Sequence, residues 1–163
     1  MANYGNVEYV CEGSKRDIRN LYVSLKSIQL SDCRDTITNY YYLHENRDIL
    51  KIEMWCAWGE PTEFRRKLLF NFPSIKLYYE VEFFEDDEWR TNDVSGKYFP
   101  YRYFIDYEDS DSYFKTLDEA ALFVSQKFGV KVHNVNDIES VIDDYMEEHG
   151  ESYYSFHECL VER

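Results

Sequence analysis

The alternation of apolar and polar residues in the first third of the chain predicts a strand followed by a helix. Residues 6–11 alternate, which indicates a half-buried strand. From Lys15 to Gln29, apolar residues recur every three or four positions, which predicts an amphipathic helix with Ser14 as its N-cap. The polar residues 31–36 then predict a loop.

The central part of the chain predicts two paired strands, a short helix and a third strand. Residues 40–43 and 50–56 are predicted to pair around a polar turn. Pro61 suits the first turn of a helix, because its missing N–H would have no partner there, and Pro73 is predicted to end that helix. Ile75 to Phe84 alternate, which predicts the next strand.

The acidic segments of the second half predict turns and a linker. Glu85–Glu88 is predicted to be a solvated hairpin loop. Tyr98–Tyr107 is predicted to be a long aromatic strand, and Pro100 within it favours an edge position or a bulge. Glu108–Ser112 is predicted to be an acidic linker.

The last third predicts two helices and two strands. Thr116 opens a capping box and Gly129 ends the helix that follows. Residues 130–133 are predicted to be a short strand, Asn136 the cap of a second helix, and residues 152–161 a final strand.

These elements predict the α+β class. Residues 1–107 contain the order βαββαβ, so the predicted fold is a ferredoxin-like sandwich with an antiparallel sheet. Residues 113–163 are predicted to be a C-terminal α-β-α-β extension that packs on this core.

The charge of the chain is unevenly distributed. Residues 1–79 carry 11 Lys and Arg against 10 Asp and Glu, whereas residues 80–163 carry 7 against 22, and the net charge is −14. Such a field repels nucleic acid and anionic membranes. The expected partner is therefore a protein, with a basic one favoured, and neither direct nucleic-acid nor membrane binding is expected. Alternatively, the acids only keep a Tyr-rich surface solvated.

The cysteines and the hydropathy indicate the compartment. The four cysteines form no CxxC pair, and no stretch approaches the roughly 20 apolar residues of a membrane span. The N-terminus has no basic segment followed by an apolar run. A reducing, bacterial-type cytoplasm is predicted, with Cys11 and Cys56 as buried free thiols.

The central motif also indicates a family. A strand ends in Trp, a Pro opens a helix, an aromatic-Pro pair closes it, and a Tyr/Glu-rich strand follows a short N-terminal Asn/Val pattern. The residues of this pattern are Met1–Asn3, Asn6, Val7, Trp55, Pro61, Phe72, Pro73 and Tyr78–Glu80. Residues 1–107 thus resemble the YubB-type ferredoxin-like family of conjugative plasmids and phages. The chain departs from that family at Glu85–Glu88, which fill a turn where members commonly carry a Gly.

The resemblance implies a fold and a mobile-element context. It implies no active site, because the role of the family is not established, and it says little about residues 113–163.

One set of residues has the chemistry of a zinc site. His157 and Cys159 lie two residues apart on one strand face, and Cys11 and His133 supply further ligand types. No second closely spaced ligand pair occurs, so chance placement on strands is favoured and no metal is predicted.

A second set resembles a calcium loop. Asp106, Glu108, Asp109 and Asp111 supply four carboxylates within six residues, as the start of an EF-hand loop does. The Gly at the sixth position and the Glu at the twelfth are missing, so a solvated linker is favoured.

No enzyme motif is present. GxGxxG, Walker-type, GxSxG and HExxH patterns do not occur, and nothing local orients a base for a Cys–His pair. No catalytic residue and no cofactor are therefore predicted. Trp55 and Trp58 are predicted to pack in the core, with a stacking platform for a ligand as the less favoured alternative.

Three functions remain open at this point, together with the oligomeric state. The first is a non-enzymatic protein that acts through an acidic and aromatic contact surface. The second is a DNA mimic that occupies the groove of a basic DNA-binding protein. The third is a small-ligand binder or enzyme that uses the open face of the sheet. The predicted partner-binding residues are Glu85, Asp86, Asp87, Glu88, Trp89, Asp106, Asp109, Asp111, Asp143, Asp144, Glu147 and Glu148.

Overall fold

Two separate sheets and four helices make up the described part of the chain. A computed structural model describes residues 3–28, 30, 34–83, 88–107, 110–149 and 154–162. The chain divides into two units: unit 1 is Met1–Phe99 with Val161–Arg163, and unit 2 is Pro100–Leu160. The architecture is a mix of helices and mostly antiparallel strands, compatible with the predicted α+β class.

Unit 1 is built on the larger sheet, with six strands in the order β2-β3-β1-β4-β5-β9. Two helices lie between its strands in the sequence. In chain order the elements are β1 (Tyr4–Glu12), α1 (Lys15–Leu25), β2 (Thr36–Tyr42), β3 (Ile49–Ala57), α2 (Thr62–Asn71), β4 (Lys76–Phe83) and β5 (Glu88–Thr91). The strand β9 (Leu160–Val161) is added from the far end of the chain.

The register of the sheet decides which face each side chain occupies. β1 is antiparallel to both of its neighbours, so Tyr9 lies opposite Ile52 on β3 and Tyr79 on β4. These three side chains are buried in one core with the apolar residues of both helices, such as Leu21 and Leu68. The residues that alternate with them therefore lie on the other face, which we call the open face of the sheet.

Local sequence features explain where the two helices of unit 1 start. The Ser14 side chain accepts a hydrogen bond from the Asp17 N–H, as predicted for an N-cap. α1 ends at Leu25, before the predicted end at Gln29, which lies outside the described residues. Pro61 occupies the N-cap position of α2, which needs no N–H donor.

Unit 2 contains the three-stranded sheet and two helices. β6 (Tyr103–Tyr107) lies between β7 (Ser110–Phe114) and β8 (Tyr154–Glu158) and is antiparallel to both. The helices α3 (Leu117–Phe128) and α4 (Val135–His149) bury their apolar faces with Ile105 in a second core. The predicted Thr116 capping box and left-handed Gly129 are both present.

Three predictions for residues 98–133 were wrong. The strand predicted over 98–107 begins only at Tyr103 and pairs in the sheet of unit 2. The predicted linker 108–112 holds most of β7, because Ser110–Ser112 pair with β6. Residues 130–133 form no strand: the Val132 N–H donates to the Ser125 hydroxyl rather than to a ladder.

The cap of α4 lies two residues before the predicted one. The Asn134 side chain accepts from the Asp137 N–H at 2.9 Å, so Asn136 is already within the helix. Of the predicted loop Glu85–Glu88, residues 85–87 lie outside the described residues and Glu88 is the first residue of β5. The strand predicted over 152–161 is divided into β8 and β9, which belong to different sheets, and residues 152 and 153 lie outside the described residues.

Candidate interaction surfaces

Two tryptophans predicted to be core residues are exposed. Trp55 lies on the open face opposite Asn6, with 44% of its surface exposed, and stacks on the Tyr4 ring at 6.0 Å. Trp58 is 58% exposed, and its backbone has a positive φ of 68°. The Arg34 guanidinium lies 5.9 Å from the Trp58 ring centroid. The prediction was wrong because Cys56 and Ala57 take the buried positions.

We call Tyr4, Trp55 and Trp58 the aromatic surface. Large exposed aromatic side chains with few rotatable bonds are the residues that most often dominate the energy of protein–protein contacts. Because two of the three stack in the unbound chain, little side-chain freedom remains to be lost on binding.

Charged residues continue the open face beside the aromatic surface. Glu8 lies opposite Glu53 on β3. The Lys51 ammonium lies 2.8 Å from Glu8 and 3.5 Å from Glu53, and the Tyr41 hydroxyl donates to Glu53 at 2.9 Å. Burial opposes the charge on Lys51, but the hydrogen bond and charge of Glu8 outweigh it and raise the pKa of Lys51. This part of the surface is therefore both aromatic and acidic.

The first group of predicted contact residues is only partly accessible. Trp89 is 3% exposed and belongs to the buried residues of β5, so the prediction that it contacts a partner was wrong. Glu88 is half-buried and accepts from the Arg90 guanidinium at 2.7 Å. Glu85, Asp86 and Asp87 lie outside the described residues.

The second group lies on the β6–β7 hairpin. Asp106 and Asp111 are directly opposite each other across the two strands, and Asp111 is exposed. Asp109 lies outside the described residues, as does Glu108. Two facing carboxylates repel each other, so this pair favours an approaching positive charge.

The third group is fully exposed and forms one continuous feature. Asp143, Asp144, Glu147 and Glu148 lie with Glu139 on the outward side of α4, opposite the buried Ile138 and Ile142; we call these five carboxylates the acidic strip. None of the five forms an ion pair with another described residue. Residues four apart on a helix are separated by about 6 Å along the axis, so the strip contains two rows of regularly spaced charges.

A surface of the opposite sign lies on α1. Lys15, Arg16 and Arg19 are exposed on this helix, and a groove of about 780 Å³ separates them from the β2–β3 turn, where Arg47 lies 5.6 Å from the Tyr42 ring. We call these four cations the basic surface. The Tyr22 ring stacks on Tyr42 at 4.8 Å in the same groove. Lys15 and Arg19 form no ion pair with a described residue.

Neighbouring grooves extend the basic surface along α1. A groove of about 670 Å³ shares Lys15, Arg19 and Val23 with the first. A third, of about 410 Å³ and with an apolar floor that includes Leu21 and Leu68, lies between α1 and α2. These three grooves lie on the helical side of unit 1, whereas the ligand hypothesis used the open face of the sheet.

A charged cluster that the sequence did not reveal lies on the helical side of the sheet. The Glu60 side chain is completely buried and accepts from Arg65, Arg90 and the Tyr9 hydroxyl, each at 3.0 Å. The two guanidinium groups also lie 4.4 and 5.7 Å from the Tyr79 ring. Burial, followed by the charge of Glu60, raises the pKa of Tyr9.

The same cluster holds the returning end of the chain. The Glu162 carboxylate accepts from Arg90 at 2.9 Å and from the Tyr79 hydroxyl. Burial opposes its charge, but these two partners lower its pKa below the ordinary value. Since every oxygen of Glu60 is already bonded within the protein, this cluster serves the fold rather than a ligand.

The four residues that were considered as zinc ligands do not converge among the described residues. No group of three or more His, Cys, Asp or Glu side chains in this part of the chain is placed to hold a metal. Cys11 is buried in the core of unit 1, and the His157 ring stacks on Phe104. None of the described helices is long and apolar enough to cross a membrane.

Comparison with known proteins gives no relative. No family model, curated protein or solved structure shows significant similarity to this chain. Function must therefore be inferred from the surfaces themselves.

Proposed function

We propose that the protein is a non-enzymatic binding module that recognises another protein through the aromatic surface and the carboxylates beside it. The observation that carries this proposal is the exposure of Trp55 on β3 and of Trp58 directly after that strand. Exposed tryptophans flanked by polar residues have the anatomy of an interface: an aromatic centre within a charged rim. Glu8 and Glu53 favour a partner with Arg or Lys at its contact.

We also propose a fold family for unit 1 and a cellular setting for the protein. Unit 1 follows the ferredoxin-like plan, which is supported by its order β-α-β-β-α-β and by the antiparallel arrangement β2-β3-β1-β4. The resemblance to the YubB-type family favours a role on a plasmid, phage or bacterial genome. The buried free thiols Cys11, Cys56 and Cys159 favour the cytoplasm.

Binding assays with exposed-aromatic variants test the proposal. Immobilised wild type, Trp55→Ala, Trp58→Ala and Phe70→Ala would be compared for retention of proteins from a bacterial lysate. Phe70 is the matched control, because it is 86% exposed and belongs to α2 rather than to the aromatic surface. We expect a partner that is retained by wild type and Phe70→Ala and lost with Trp55→Ala. Equal retention by all four proteins would contradict the proposal.

A second candidate function is mimicry of DNA, favoured by the spacing of the acidic strip. Its five carboxylates extend over ten residues of α4, or about 14 Å of axis, which is one charge per about 3 Å. Each strand of duplex DNA carries one charge per about 3.4 Å, which is close to the spacing of the strip. Unit 2 supports the same function with 4 Lys and Arg against 14 Asp and Glu.

Competition with duplex DNA tests mimicry. The protein would be added to complexes of basic DNA-binding proteins with labelled duplex, at several salt concentrations. A mimic displaces the duplex less well as salt rises, because it inherits the salt dependence of phosphate contacts. A variant with Asp143, Asp144, Glu147 and Glu148 changed to their amides should lose this activity. Displacement that is insensitive to salt, or that survives in this variant, would exclude mimicry by the strip.

A further inference from the structure

The basic surface on α1 and the acidic strip on α4 are complementary features of one chain. Lys15 and Arg19 are four residues apart on the exposed side of α1. Asp143 and Glu147 are four residues apart on the exposed side of α4. Each pair therefore spans the same distance of about 6 Å, with opposite charge.

We propose that the basic surface of one chain binds the acidic strip of a second copy. Two helices laid side by side bring the two cations of α1 to the two carboxylates of α4. Arg47 lines the same groove as Lys15 and Arg19, next to Glu45, and Arg16 lines the neighbouring groove of about 670 Å³; these two arginines can meet the second carboxylate row, which contains Asp144. This proposal goes beyond the aromatic surface and does not rest on it.

The lining of the groove is better suited to a protein helix than to the phosphate backbone of a nucleic acid. Val23 is 57% exposed at its centre, and the stacked Tyr22 and Tyr42 rings form one wall. Burial of these apolar groups under the methylenes of a partner's side chains is favourable. They offer neither a charge nor a hydrogen bond to a phosphate group. Nucleic acid is also repelled by the net charge of −14.

The like net charges of two copies do not prevent this contact. At physiological ionic strength the Debye length is about 8 Å, so distant charges are screened while ion pairs in contact are not. The attraction is therefore local, and it is expected to weaken as salt is raised.

The contact joins different patches on the two copies. After one chain has bound through its strip, its own basic surface is still free, and so is the strip of the other chain. A head-to-tail interface of this kind closes into a ring or grows into a chain of copies. Self-association should therefore continue beyond a dimer as concentration rises.

Sedimentation velocity of neutralised variants provides the first test. The wild type would be measured from about 1 µM to about 1 mM, where weak interfaces become populated. We expect oligomers that dissociate when ionic strength rises from about 0.1 M to about 1 M, which shortens the Debye length from about 10 Å to about 3 Å. Lys15→Gln/Arg19→Gln and Asp143→Asn/Glu147→Gln should each weaken association about tenfold.

Two control variants test whether the loss of association is specific to the basic surface. One controls for the change in net charge and the other for a contribution of the aromatic surface. Arg66→Gln/Lys131→Gln removes the same net charge from exposed positions elsewhere and should associate like wild type. Trp55→Ala should also associate like wild type, because the aromatic surface takes no part.

Mixing the two defective variants gives the decisive result. Lys15→Gln/Arg19→Gln keeps an intact strip, and Asp143→Asn/Glu147→Gln keeps an intact basic surface. Each alone should associate about tenfold more weakly than wild type, whereas the mixture should form a one-to-one dimer with the wild-type affinity that grows no further. A wild type that stays monomeric throughout, or a mixture that does not pair, would overturn the proposal. So would binding of a fluorescent single-stranded oligonucleotide that Lys15→Gln/Arg19→Gln abolishes, since that result assigns the surface to nucleic acid.

Discussion

Arg90 donates to Glu60 at 3.0 Å, and the Glu60 side chain has no exposed surface. The two residues are 30 positions apart, on β5 and in the segment before α2. A buried carboxylate is tolerated only when its oxygens are hydrogen-bonded and its charge is balanced. Arg65 and Arg90 supply the charge, and Tyr9 supplies a further donor. The cluster therefore links the first strand, the second helix and the fifth strand of unit 1.

Removing the buried carboxylate should destabilise unit 1. We expect Glu60→Ala to lower the free energy of unfolding by about 3–5 kcal/mol, because Arg65 and the buried Tyr9 hydroxyl lose this partner and Arg90 keeps only Glu88 and Glu162. Urea denaturation followed by Trp fluorescence measures this in unit 1, which contains all three tryptophans. Glu63→Ala is the control: Glu63 is exposed on α2 beside Lys67 and should cost less than about 1 kcal/mol. Equal effects of the two changes would show that the cluster contributes little.

Asp93 should make stability depend on pH. Its carboxylate accepts from the N–H groups of Tyr98 and Phe99 at 2.7 and 3.1 Å and from the Ser95 hydroxyl at 2.8 Å. Burial opposes its charge, but these donors outweigh it and lower the pKa of Asp93 below 3.8. A lowered carboxyl pKa stabilises the folded state above the unfolded pKa of about 3.9, and this stability is lost as pH falls through the folded value.

The variant Asp93→Asn separates this effect from that of other carboxylates. At pH 7 it should be less stable than wild type by about 1.5–3 kcal/mol, the range for hydrogen bonds to a charged group. The difference should shrink as pH falls below about 4, because the carboxyl of the unfolded wild type takes up a proton there while the folded carboxyl, with its lowered pKa, still carries its charge. Urea denaturation at several pH values tests this, and a difference that stays constant down to pH 3 would refute it.

Gly5 is predicted to tolerate no side chain. A Cβ at this position would lie 2.3 Å from the Glu82 carbonyl oxygen and 2.6 Å from the Phe83 ring. Gly5→Ala should therefore cost about 2–3 kcal/mol, since backbone and a buried ring would have to move. Gly129→Ala is the comparison. No atom lies within 4 Å of a Cβ placed at this position, so only the backbone strain at its φ of 69° should destabilise the variant, by about 1 kcal/mol. Thermal unfolding followed by circular dichroism would compare the stabilities of the two variants. A Gly5→Ala variant that is more stable than Gly129→Ala would contradict the packing argument.

The thiols of the unit 1 core should be unreactive in the folded protein. Burial raises the pKa of both Cys11 and Cys56 to about 12. Only the thiolate reacts with iodoacetamide, so little alkylation is expected at pH 8. Peptide mapping by mass spectrometry after short exposure, with and without urea, distinguishes the two sites from Cys33. Rapid native labelling of Cys11 would show that the core opens.

The elements of unit 1 could largely be predicted because each of them buries one face. β1, β3 and β4 alternate, and α1 and α2 repeat at helical spacing, so hydrophobic burial alone indicates them. β7 could not be recognised in this way. Ser110, Asp111 and Ser112 have low strand propensity, and only their pairing with β6 makes them a strand.

The site was harder to predict than the fold. Whether Trp55 faces the core depends on the register of β3, which a run of apolar residues does not reveal. Four of the five carboxylates of the acidic strip on α4 were among the predicted contact residues because they are neighbours in sequence, whereas Glu139 was not. The Glu60 cluster was missed because its members are brought together from distant segments. One feature of the sequence could have indicated this cluster. Glu60 and Arg90 are charged residues that each lie beside an apolar or aromatic run.

The return of the chain to unit 1 has a consequence for its synthesis. The Glu162 N–H donates to the Thr91 carbonyl at 2.8 Å, and its carboxylate is bonded by Arg90, 72 positions earlier. While the ribosome makes residues 100–160, the edge of β5 and the Arg90 guanidinium have no partner from the returning segment. Unit 2 is continuous in sequence and can fold during this interval. A nascent chain therefore completes its inserted unit before it can close the sheet that began at its first strand.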